Sequence, residues 1–245
     1  MLVLGGSRGI GAAVARLAAA RGYDVALSYR DERERAAEVA RDVERAGARA
    51  LVLQADVRDP AQVERAFAEA ACGLGGIDAV VIAAGITGRA STLADAPIDV
   101  LRDTLDINVT GTILCAREAV RHMARSRGGR GGGIVSISSG AATLGSPGEF
   151  VWYAASKGAV DSLTLGLSKE VASEGIRVNA VAPGLTDTEL HARSTGEPGR
   201  VARMAPLIPI GRGASADEVA EPVLWLLSDA ASYVTGAILR VAGGR

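Results

Sequence analysis

The first eleven residues, "MLVLGGSRGIG" (Met1–Gly11), pass from a short apolar run directly into a turn rich in glycine. The apolar run predicts a buried strand, and the amphipathic stretch from Ile10 to Arg21 predicts a helix. Glycines at such a turn let backbone N–H groups approach a phosphate near the positive N-terminus of the helix. A P-loop is excluded because no Gly-Lys-Ser/Thr follows the second glycine. The alternative is a tight turn that binds no ligand.

The same alternation of apolar runs and amphipathic stretches continues along the chain. Helical stretches are predicted at Arg33–Ala46 and at Pro60–Cys72, the second with Asp59 as N-cap and Pro60 at the first helical position. The predicted strands lie in "MLVL", "DVALSY", "ALVLQADV", "DAVVIAAG", "GIVSISS", "IRVNAVAPG" and "AILRVAGG". This order predicts an α/β fold, with a parallel sheet of about seven strands and helices on both faces. The pattern is unbroken over residues 1–245, so we expect a single domain.

Charge and composition bear on the partners of the chain. The 27 Lys+Arg and 28 Asp+Glu residues give a net charge of -1, so we expect neither nucleic acid nor a membrane surface as a partner. Cys72, Cys115, His122 and His191 have no metal-ligand spacing, and we expect no metal site. No secretory signal is visible and no apolar run is long enough for a bilayer, so we expect a cytoplasmic protein.

The stretch "VWYAASKGAV" (Val151–Val160) places Tyr153 and Lys157 four positions apart on a predicted helix. Side chains at this spacing lie on one face, about one turn apart. A tyrosine is a poor acid–base catalyst near its ordinary pKa, but a nearby ammonium favours the phenolate and lowers that pKa. The pair therefore indicates either chemistry or a coincidence of spacing.

Seven motifs together resemble those of the short-chain dehydrogenase/reductase family, in order and in spacing. They are the glycine turn at Gly5–Gly11, Ala55–Val57, Ala83–Gly85, Asn108, Ser136–Ser139, Tyr153 with Lys157, and Ala182–Gly184. The resemblance covers essentially the whole chain and implies a single, doubly wound Rossmann-type domain. It also implies an NAD(P)-dependent oxidoreductase that acts on a small carbonyl or alcohol substrate. The C-terminal region looks like that of members related to 3-oxoacyl-carrier-protein reductases and glucose dehydrogenases.

The resemblance implies a catalytic role for four residues. Tyr153 would exchange a proton with the substrate oxygen, and Ser139 would hydrogen-bond the same oxygen. Lys157 would lower the pKa of Tyr153 and bind the ribose of the cofactor, and Asn108 would hold a water that links Lys157 to solvent. The alternatives are that Asn108 is a buried amide in a broken helix and that the Ser139 hydroxyl caps its own loop.

Cofactor choice is expected to depend on the end of the second strand. The family's acidic position aligns with Tyr29, Arg30 follows it, and Arg8 in the glycine turn could also reach a 2′-phosphate. We therefore expect NADP as the cofactor. The nearby Asp31 and Glu32 are also compatible with the use of NAD. The residues expected to bind the cofactor are Gly5, Ser7, Arg8, Ile10, Gly11, Tyr29, Arg30, Asp56, Val57, Ala83, Ala84, Gly85, Tyr153, Lys157, Pro183, Gly184, Thr186 and Thr188.

Several positions depart from the pattern of the family. Leu4 replaces a threonine and Ile82 with Ala83 replaces two asparagines, so we expect cofactor loops with less side-chain bracing. Ala242 stands where the family commonly has an aspartate, so we do not expect an ion pair at this position. Glu174 stands where carrier-protein reductases have a basic residue, which disfavours an acyl-carrier-protein substrate. The segment 125–133 is interpreted as a flexible loop. Its arginines leave an acyl-carrier-protein substrate as an alternative.

Residues 185–210 are expected to form a substrate lid, because long irregular segments in compact domains are usually functional. Arg193, Arg200 and Arg203 are interpreted as surface residues, with an anion clamp as the alternative, and His191 as a loop residue. A second hypothesis for the whole chain is a dinucleotide-binding sensor without turnover. The presence of all four catalytic residues favours the enzyme.

The helix that carries Tyr153 also predicts assembly. Ala155, Ala159, Ser162 and Gly166 recur at spacings of three and four, so one face has little side-chain bulk. This face could pack on the chain's own sheet or on a second subunit. The resemblance favours the second alternative and implies a homotetramer.

Overall fold

The computed structural model describes the backbone of residues 1–245 and every side chain except those of residues 191–193. Within that backbone, seven strands form one parallel sheet in the order β3-β2-β1-β4-β5-β6-β7. The strands are β1 (Leu2–Leu4), β2 (Val25–Tyr29), β3 (Ala50–Gln54), β4 (Ala79–Ile82), β5 (Gly132–Ile137), β6 (Ile176–Pro183) and β7 (Ile238–Val241). Each predicted apolar run contains one strand, so the predicted α/β fold with a parallel sheet is confirmed.

Ten α-helices lie within the described backbone. They are α1 (Gly9–Ala20), α2 (Arg33–Arg45), α3 (Pro60–Leu74), α4 (Ile98–Leu105), α5 (Thr112–Met123), α6 (Ala141–Leu144), α7 (Val151–Glu170), α8 (Glu189–Thr195), α9 (Arg200–Met204) and α10 (Ala216–Leu227). A π-helical turn, Asp106–Gly111, joins α4 to α5. The predicted cap of α3 is confirmed, because the Asp59 carboxylate accepts hydrogen bonds from the N–H groups of Ala61 and Gln62.

The sheet is covered on both faces, as a doubly wound fold requires. Successive side chains of a strand point to opposite faces. Val3 therefore packs in a buried cluster with α1, α2 and α10, whereas Leu2 and Leu4 pack in a second cluster with α3 and α5. No helix in the described part of the chain is both long and apolar enough to cross a membrane.

The strand order locates the place where a ligand can bind. The chain runs from β1 outward to β2 and β3, then returns to β4 on the other side of β1. Helices leave the carboxyl ends of β1 and β4 in opposite directions, which opens a crevice between them. The glycine turn of residues 5–11 lies at this crevice.

The glycine-rich segment 125–133 is not the flexible loop that we expected. Arg125–Arg127 form a 3-10 turn, and a Cβ atom on Gly129, Gly131 or Gly132 would overlap backbone atoms of Met123, Gly175 or Asp78, respectively. The glycines let the connection from α5 to β5 pack closely on the end of α5 and on the backbone before β4 and β6, and they do not indicate mobility.

The segment 185–210 contains α8 and α9 and is less irregular than predicted. The backbone N–H of Ala90 donates to the Ser194 carbonyl at 3.0 Å, and the N–H of Ile210 donates to the Gly243 carbonyl at 3.1 Å. These bonds attach the segment to the chain on two sides. The side chains of His191 and Arg193 lie outside the described residues.

Candidate active site

A cavity of about 730 Å³ opens over the carboxyl ends of the strands. Every residue predicted to bind the cofactor lines it, together with Ser139. We call the part formed by Arg8, Arg30, Asp31 and Glu32 the arginine end. The part formed by Ser139, Tyr153 and Lys157 is the tyrosine end. The two ends lie apart because β2 and β5 are separated by β1 and β4 in the sheet.

The glycine turn is built by close packing against the neighbouring strands. Gly5 has a φ of +81°, and a Cβ atom on it would lie 2.7 Å from the backbone nitrogen of Ala84. The N–H of Gly5 donates to Ser28 Oγ at 3.0 Å. Ser28 therefore supplies bracing from β2, which the sequence reasoning missed. Its signal was a serine inside the otherwise apolar run "VALSY".

The residue Gly85, after β4, is the point where two predicted catalytic residues converge. A Cβ atom on Gly85 would lie 3.3 Å from Asn108 Oδ1 and 3.4 Å from Lys157 Nζ. The side chains of Asn108 and Lys157 thus fill the space beside this glycine. The structure brings them together although they are far apart in the sequence.

Asn108 is fully buried in the π-helical turn and does not line the cavity. Its Nδ2 group donates to the Ile86 carbonyl at 2.7 Å and to Ser156 Oγ at 3.0 Å. Its Oδ1 atom accepts from the Ile86 N–H at 2.9 Å. Asn108 therefore ties the loop after β4 to α7, which agrees with the alternative of a buried amide in an interrupted helix. The predicted water-holding role stays a prediction.

Tyr153 and Lys157 lie on one face of α7, with Lys157 Nζ 5.8 Å from the centroid of the tyrosine ring. The ammonium does not bond to the phenol and donates to the Ile137 carbonyl at 2.7 Å. Burial raises the pKa of the Tyr153 phenol, and the neighbouring Ser139 hydroxyl opposes that rise. The expectation that Lys157 lowers this pKa is therefore wrong for the protein alone.

Lys157 itself is buried at a relative exposure of 5%. Burial lowers the pKa of its ammonium to about 8, and the charge of Asp161 opposes the change. The Ser139 hydroxyl accepts a hydrogen bond from the Ala141 N–H at 3.1 Å. Ser139 therefore caps its own loop, which is the alternative role considered for it above. The hydroxyl still lies at the cavity wall.

Sequence reasoning missed a second polar pair at the tyrosine end. Ser138 is buried, and its hydroxyl donates to Asp161 Oδ1 at 2.5 Å. Asp161 follows Lys157 by four residues on α7, and this spacing was a usable signal.

The charges of the arginine end are largely paired within the chain. Arg8 Nη1 lies 3.0 Å from Glu32 Oε1, and Arg30 Nε lies 2.5 Å from Asp31 Oδ2. The nearby Asp56 carboxylate is bound by Arg58, at 2.6 Å from Nη2 to Oδ2, and this bond lowers the pKa of Asp56. A phosphate or an adenine that uses these side chains must therefore compete with existing partners.

The far side of the tyrosine end is formed by β6, β7 and α9. Gly184 packs against Ala242, whose Cα would lie 2.8 Å from a Cβ atom on that glycine. Arg200 is only 6% exposed, and its Nη1 donates to Glu149 Oε1 at 2.7 Å while Nη2 donates to Oε2. The interpretation of Arg200 as a surface residue is therefore wrong. Arg203 is exposed and pairs with Glu197 at 2.6 Å.

The comparison with known families agrees with this geometry. A family model described as enoyl-(acyl carrier protein) reductase matches residues 5–245. The chain belongs to the short-chain dehydrogenase/reductase family. Members of this oxidoreductase family bind a nicotinamide cofactor.

Relatives within the short-chain dehydrogenase/reductase family match the whole chain. An uncharacterized oxidoreductase of Escherichia coli (strain K12) is 52% identical over 100% of this chain and 98% of its own length. The cis-4-hydroxycyclohexanecarboxylate dehydrogenase of Sinomonas cyclohexanicum is 43% identical over 99% of this chain and 94% of its own. A short chain dehydrogenase from Burkholderia cenocepacia J2315, solved in complex with NADP, is 38% identical with a TM-score of 0.90, over 99% of this chain and 96% of that one.

The residues of the cavity fit a nicotinamide dinucleotide on their own geometry. Within the glycine turn the backbone is open at Gly9, since a Cβ atom there would touch only Thr188, at 3.6 Å. Arg8 and Lys157 supply cationic groups at the two ends of the cavity. Within this short-chain dehydrogenase/reductase, the turn would hold the bridging phosphates, Arg8 would lie beside the 2′-position of the adenosine ribose, and Lys157 would lie beside the nicotinamide ribose.

Proposed function

We propose that the chain is an NADP-dependent oxidoreductase that interconverts a secondary alcohol and a ketone. The observation that supports this proposal most strongly is the grouping of Ser139, Tyr153 and Lys157 at one end of a cavity large enough for a cofactor and a small substrate. When bound, the nicotinamide cofactor supplies or accepts the hydride.

Three side chains would carry the proton and orient the substrate. In reduction, Tyr153 donates its phenolic proton to the carbonyl oxygen, and in alcohol oxidation it removes that proton. The Ser139 hydroxyl hydrogen-bonds the same oxygen. The buried ammonium of Lys157 favours the phenolate through its charge once the cofactor excludes water from the cavity. Asn108 holds the loop of Gly85 and Ile86 in place beside Lys157.

We also propose a preference for NADP over NAD. Arg8 and Arg30 can each form charge-assisted hydrogen bonds to a 2′-phosphate. Tyr29, the last residue of β2, offers no carboxylate for a ribose hydroxyl. The ion pairs of Arg8 with Glu32 and of Arg30 with Asp31 weaken this preference, so some use of NAD is expected.

The proposed substrate class is a cyclic secondary alcohol or the corresponding ketone. One relative at 43% identity is named for a hydroxycyclohexanecarboxylate, and the cavity wall at the tyrosine end includes Leu144, Phe150 and Met204. A 3-oxoacyl-carrier-protein reductase is the second candidate, favoured by a relative of that name from Staphylococcus aureus that is 35% identical over 99% of this chain. Glu174 disfavours it, because this acidic side chain would repel an acidic carrier protein.

A panel of substrates tests the proposal. The purified protein is offered cyclic ketones, 3-oxoacyl thioesters, sugars and steroids with NADPH or NADH, and the absorbance of the reduced cofactor is followed. Turnover of a cyclic ketone with NADPH is expected. Tight cofactor binding without turnover of any member would favour the sensor hypothesis.

We propose that residues 1–245 act as one catalytic domain and that residues 185–210 form a lid on the substrate. The ion pair of buried Arg200 with Glu149 supports the second part, because it joins α9 to the loop that precedes α7. This connection would close the cavity over the tyrosine end.

We also propose a homotetramer that uses the small-residue face of α7. Ala155, Ser162 and Gly166 are exposed, and a Cβ atom on Gly166 would touch nothing within 4 Å, so this face does not pack on the chain's own sheet. We expect Gly166→Leu to split the assembly by overpacking, with Glu44→Leu on exposed α2 as the control. Sedimentation at micromolar concentration tests this, and a monomeric wild-type chain would contradict it.

A further inference from the structure

The end of β5 carries three consecutive residues that contact α7 in different ways. The Ile137 carbonyl accepts the hydrogen bond of Lys157 Nζ at 2.7 Å, and the Ser138 hydroxyl donates to Asp161 Oδ1 at 2.5 Å. Ser138 Oγ also lies 3.4 Å from the backbone carbonyl of Lys157. The Ser139 hydroxyl faces Tyr153. The polar contacts of Lys157 and Asp161 therefore share one rigid strand end with the candidate catalytic serine.

Asp161 is the acidic group that faces Lys157 within the described residues. On α7 itself the other titratable neighbour is the phenol of Tyr153, which is neutral near pH 7 because burial raises its pKa. From the other elements, the groups beside the ammonium are the Ile137 carbonyl of β5 and the Asn108 amide of the π-helical turn, both uncharged. Among the described side chains, Asp161 is therefore the charged group that acts on the ammonium.

The remaining charged groups on the elements packed against α7 point elsewhere. Helix α6 has no titratable side chain. Arg177 of β6 donates to backbone carbonyls that include that of Leu226 of α10, on the opposite face of the sheet. The acidic and basic side chains of α4 and of the π-helical turn are exposed to solvent; they are Asp99, Arg102, Asp103 and Asp106.

We propose that Asp161, held in place by Ser138, is a positioning residue that keeps the Lys157 side chain charged and fixed on the Ile137 carbonyl. Asp161 touches neither the cavity nor the expected substrate. It acts through Lys157, and its effect on catalysis rests on the proposed function. Its effect on the charge and position of Lys157 does not depend on the proposed function.

The sign of the effect follows from the positions of the groups. Burial disfavours the charged ammonium, and its pKa is lowered to about 8, so the charge is lost as the pH rises through that value. The negative charge of Asp161 opposes this change. Removal of that charge is expected to lower the pKa of Lys157 further, by about half to one unit for a single charge in a partly buried setting.

The composition of the chain allows a direct measurement. The sequence contains two lysines, Lys157 and Lys169, and Lys169 is exposed at the end of α7. A protein labelled with 13C at lysine Cε therefore gives two side-chain signals, and Lys169→Arg assigns them. The Lys157 signal is expected to titrate near pH 8, and the Lys169 signal provides the internal comparison.

The variants Asp161→Asn and Asp161→Glu separate charge from packing. In Asp161→Asn the titration midpoint of Lys157 is expected to fall, and in Asp161→Glu it is expected to return most of the way to the wild-type value. Ser138→Ala keeps the carboxylate but loses its hydrogen bond, so it is expected to give a smaller fall. Asp217→Asn, at an exposed position of α10, is the control and is expected to change nothing.

Kinetics provide the second measurement, with a substrate from the panel. The alkaline limb of the pH profile of kcat/KM for alcohol oxidation is expected to move in Asp161→Asn by the shift seen for Lys157. An unchanged Lys157 midpoint in both Asp161→Asn and Ser138→Ala would overturn the inference. If the midpoint moves but Tyr153→Phe keeps its activity, the proposed function fails while the assignment of Asp161 stands.

Discussion

Arg8 and Glu32 form an ion pair at the arginine end of the cavity, with 3.0 Å between Arg8 Nη1 and Glu32 Oε1. The pair joins the glycine turn to the residue before α2. Arg8 is thus held where a 2′-phosphate is expected, by a carboxylate that would repel that phosphate. We therefore expect both charges of the pair to affect the proposed cofactor preference.

Replacement of the carboxylate is expected to favour the phosphorylated cofactor. Glu32→Gln removes one negative charge beside the expected 2′-phosphate and releases Arg8, so NADPH should bind about threefold to tenfold more tightly. NADH binding should stay the same or weaken. Fluorescence titration of the reduced cofactors measures both, and Glu34→Gln, exposed on α2, is the matched control. Tighter binding of both cofactors would show that the effect is not electrostatic.

Replacement of the two arginines should have the opposite effect. Arg8→Ala with Arg30→Ala removes both cations that can bond to a 2′-phosphate, and NADPH should bind roughly 10- to 100-fold more weakly. NADH should bind within about threefold of the wild type, because its ribose carries no phosphate. The same titration tests this, and equal losses for the two cofactors would remove the basis for the proposed NADP preference.

The two ion pairs near α9 should differ in their effect on stability. Arg200 is buried and its guanidinium is held by Glu149, whereas the pair of Arg203 with Glu197 is exposed. Arg200→Met is expected to cost about 1–3 kcal/mol of unfolding free energy, less than a fully buried pair because Glu149 reaches water. Arg203→Met should cost much less, because both partners of that pair are exposed to solvent. Urea unfolding compares them, and equal costs would contradict the anchoring role of Arg200.

Two glycines with the same backbone geometry allow a test of the packing at the glycine turn. Gly5 has a φ of +81° and Gly22 a φ of +85°, but a Cβ atom would meet the Ala84 backbone only at Gly5. Gly22→Ala should cost about 1 kcal/mol from backbone strain alone. Gly5→Ala should cost roughly 1–3 kcal/mol more, because the backbone of Ala84 must move. Thermal unfolding measures both, and similar losses would show that the turn has room for a side chain.

The features that depend on local pattern could be predicted from the sequence. The strands were visible because a parallel sheet covered on both faces needs short, continuous apolar runs. The shared face of Tyr153 and Lys157 followed from helix periodicity alone. The cap of α3 at Asp59 followed from an aspartate placed just before a proline.

The features that depend on the packing of distant segments could not be predicted. Ser138 and Asp161 are 23 positions apart, and the spacing of Asp161 from Lys157 indicates only a shared helix face, not the hydrogen bond to Ser138. The burial of Arg200 depends on how α9 meets the loop that carries Glu149, and a sequence shows only a charged residue in a polar stretch. The raised pKa of Tyr153 depends on desolvation, which exists only in the folded protein.

The central claim is that Tyr153 transfers the proton at the tyrosine end, and Tyr153→Phe tests it most directly. The change keeps the ring and its packing on α7 and removes only the hydroxyl, while Tyr233→Phe, at a fully exposed position, serves as the control. With a substrate found by the panel, kcat/KM of Tyr153→Phe should fall by a factor of about 10² to 10⁴, the usual contribution of a general acid–base group. NADPH affinity should stay within about threefold, and Tyr233→Phe should match the wild type. Retention of most of the wild-type kcat/KM by Tyr153→Phe would contradict the account.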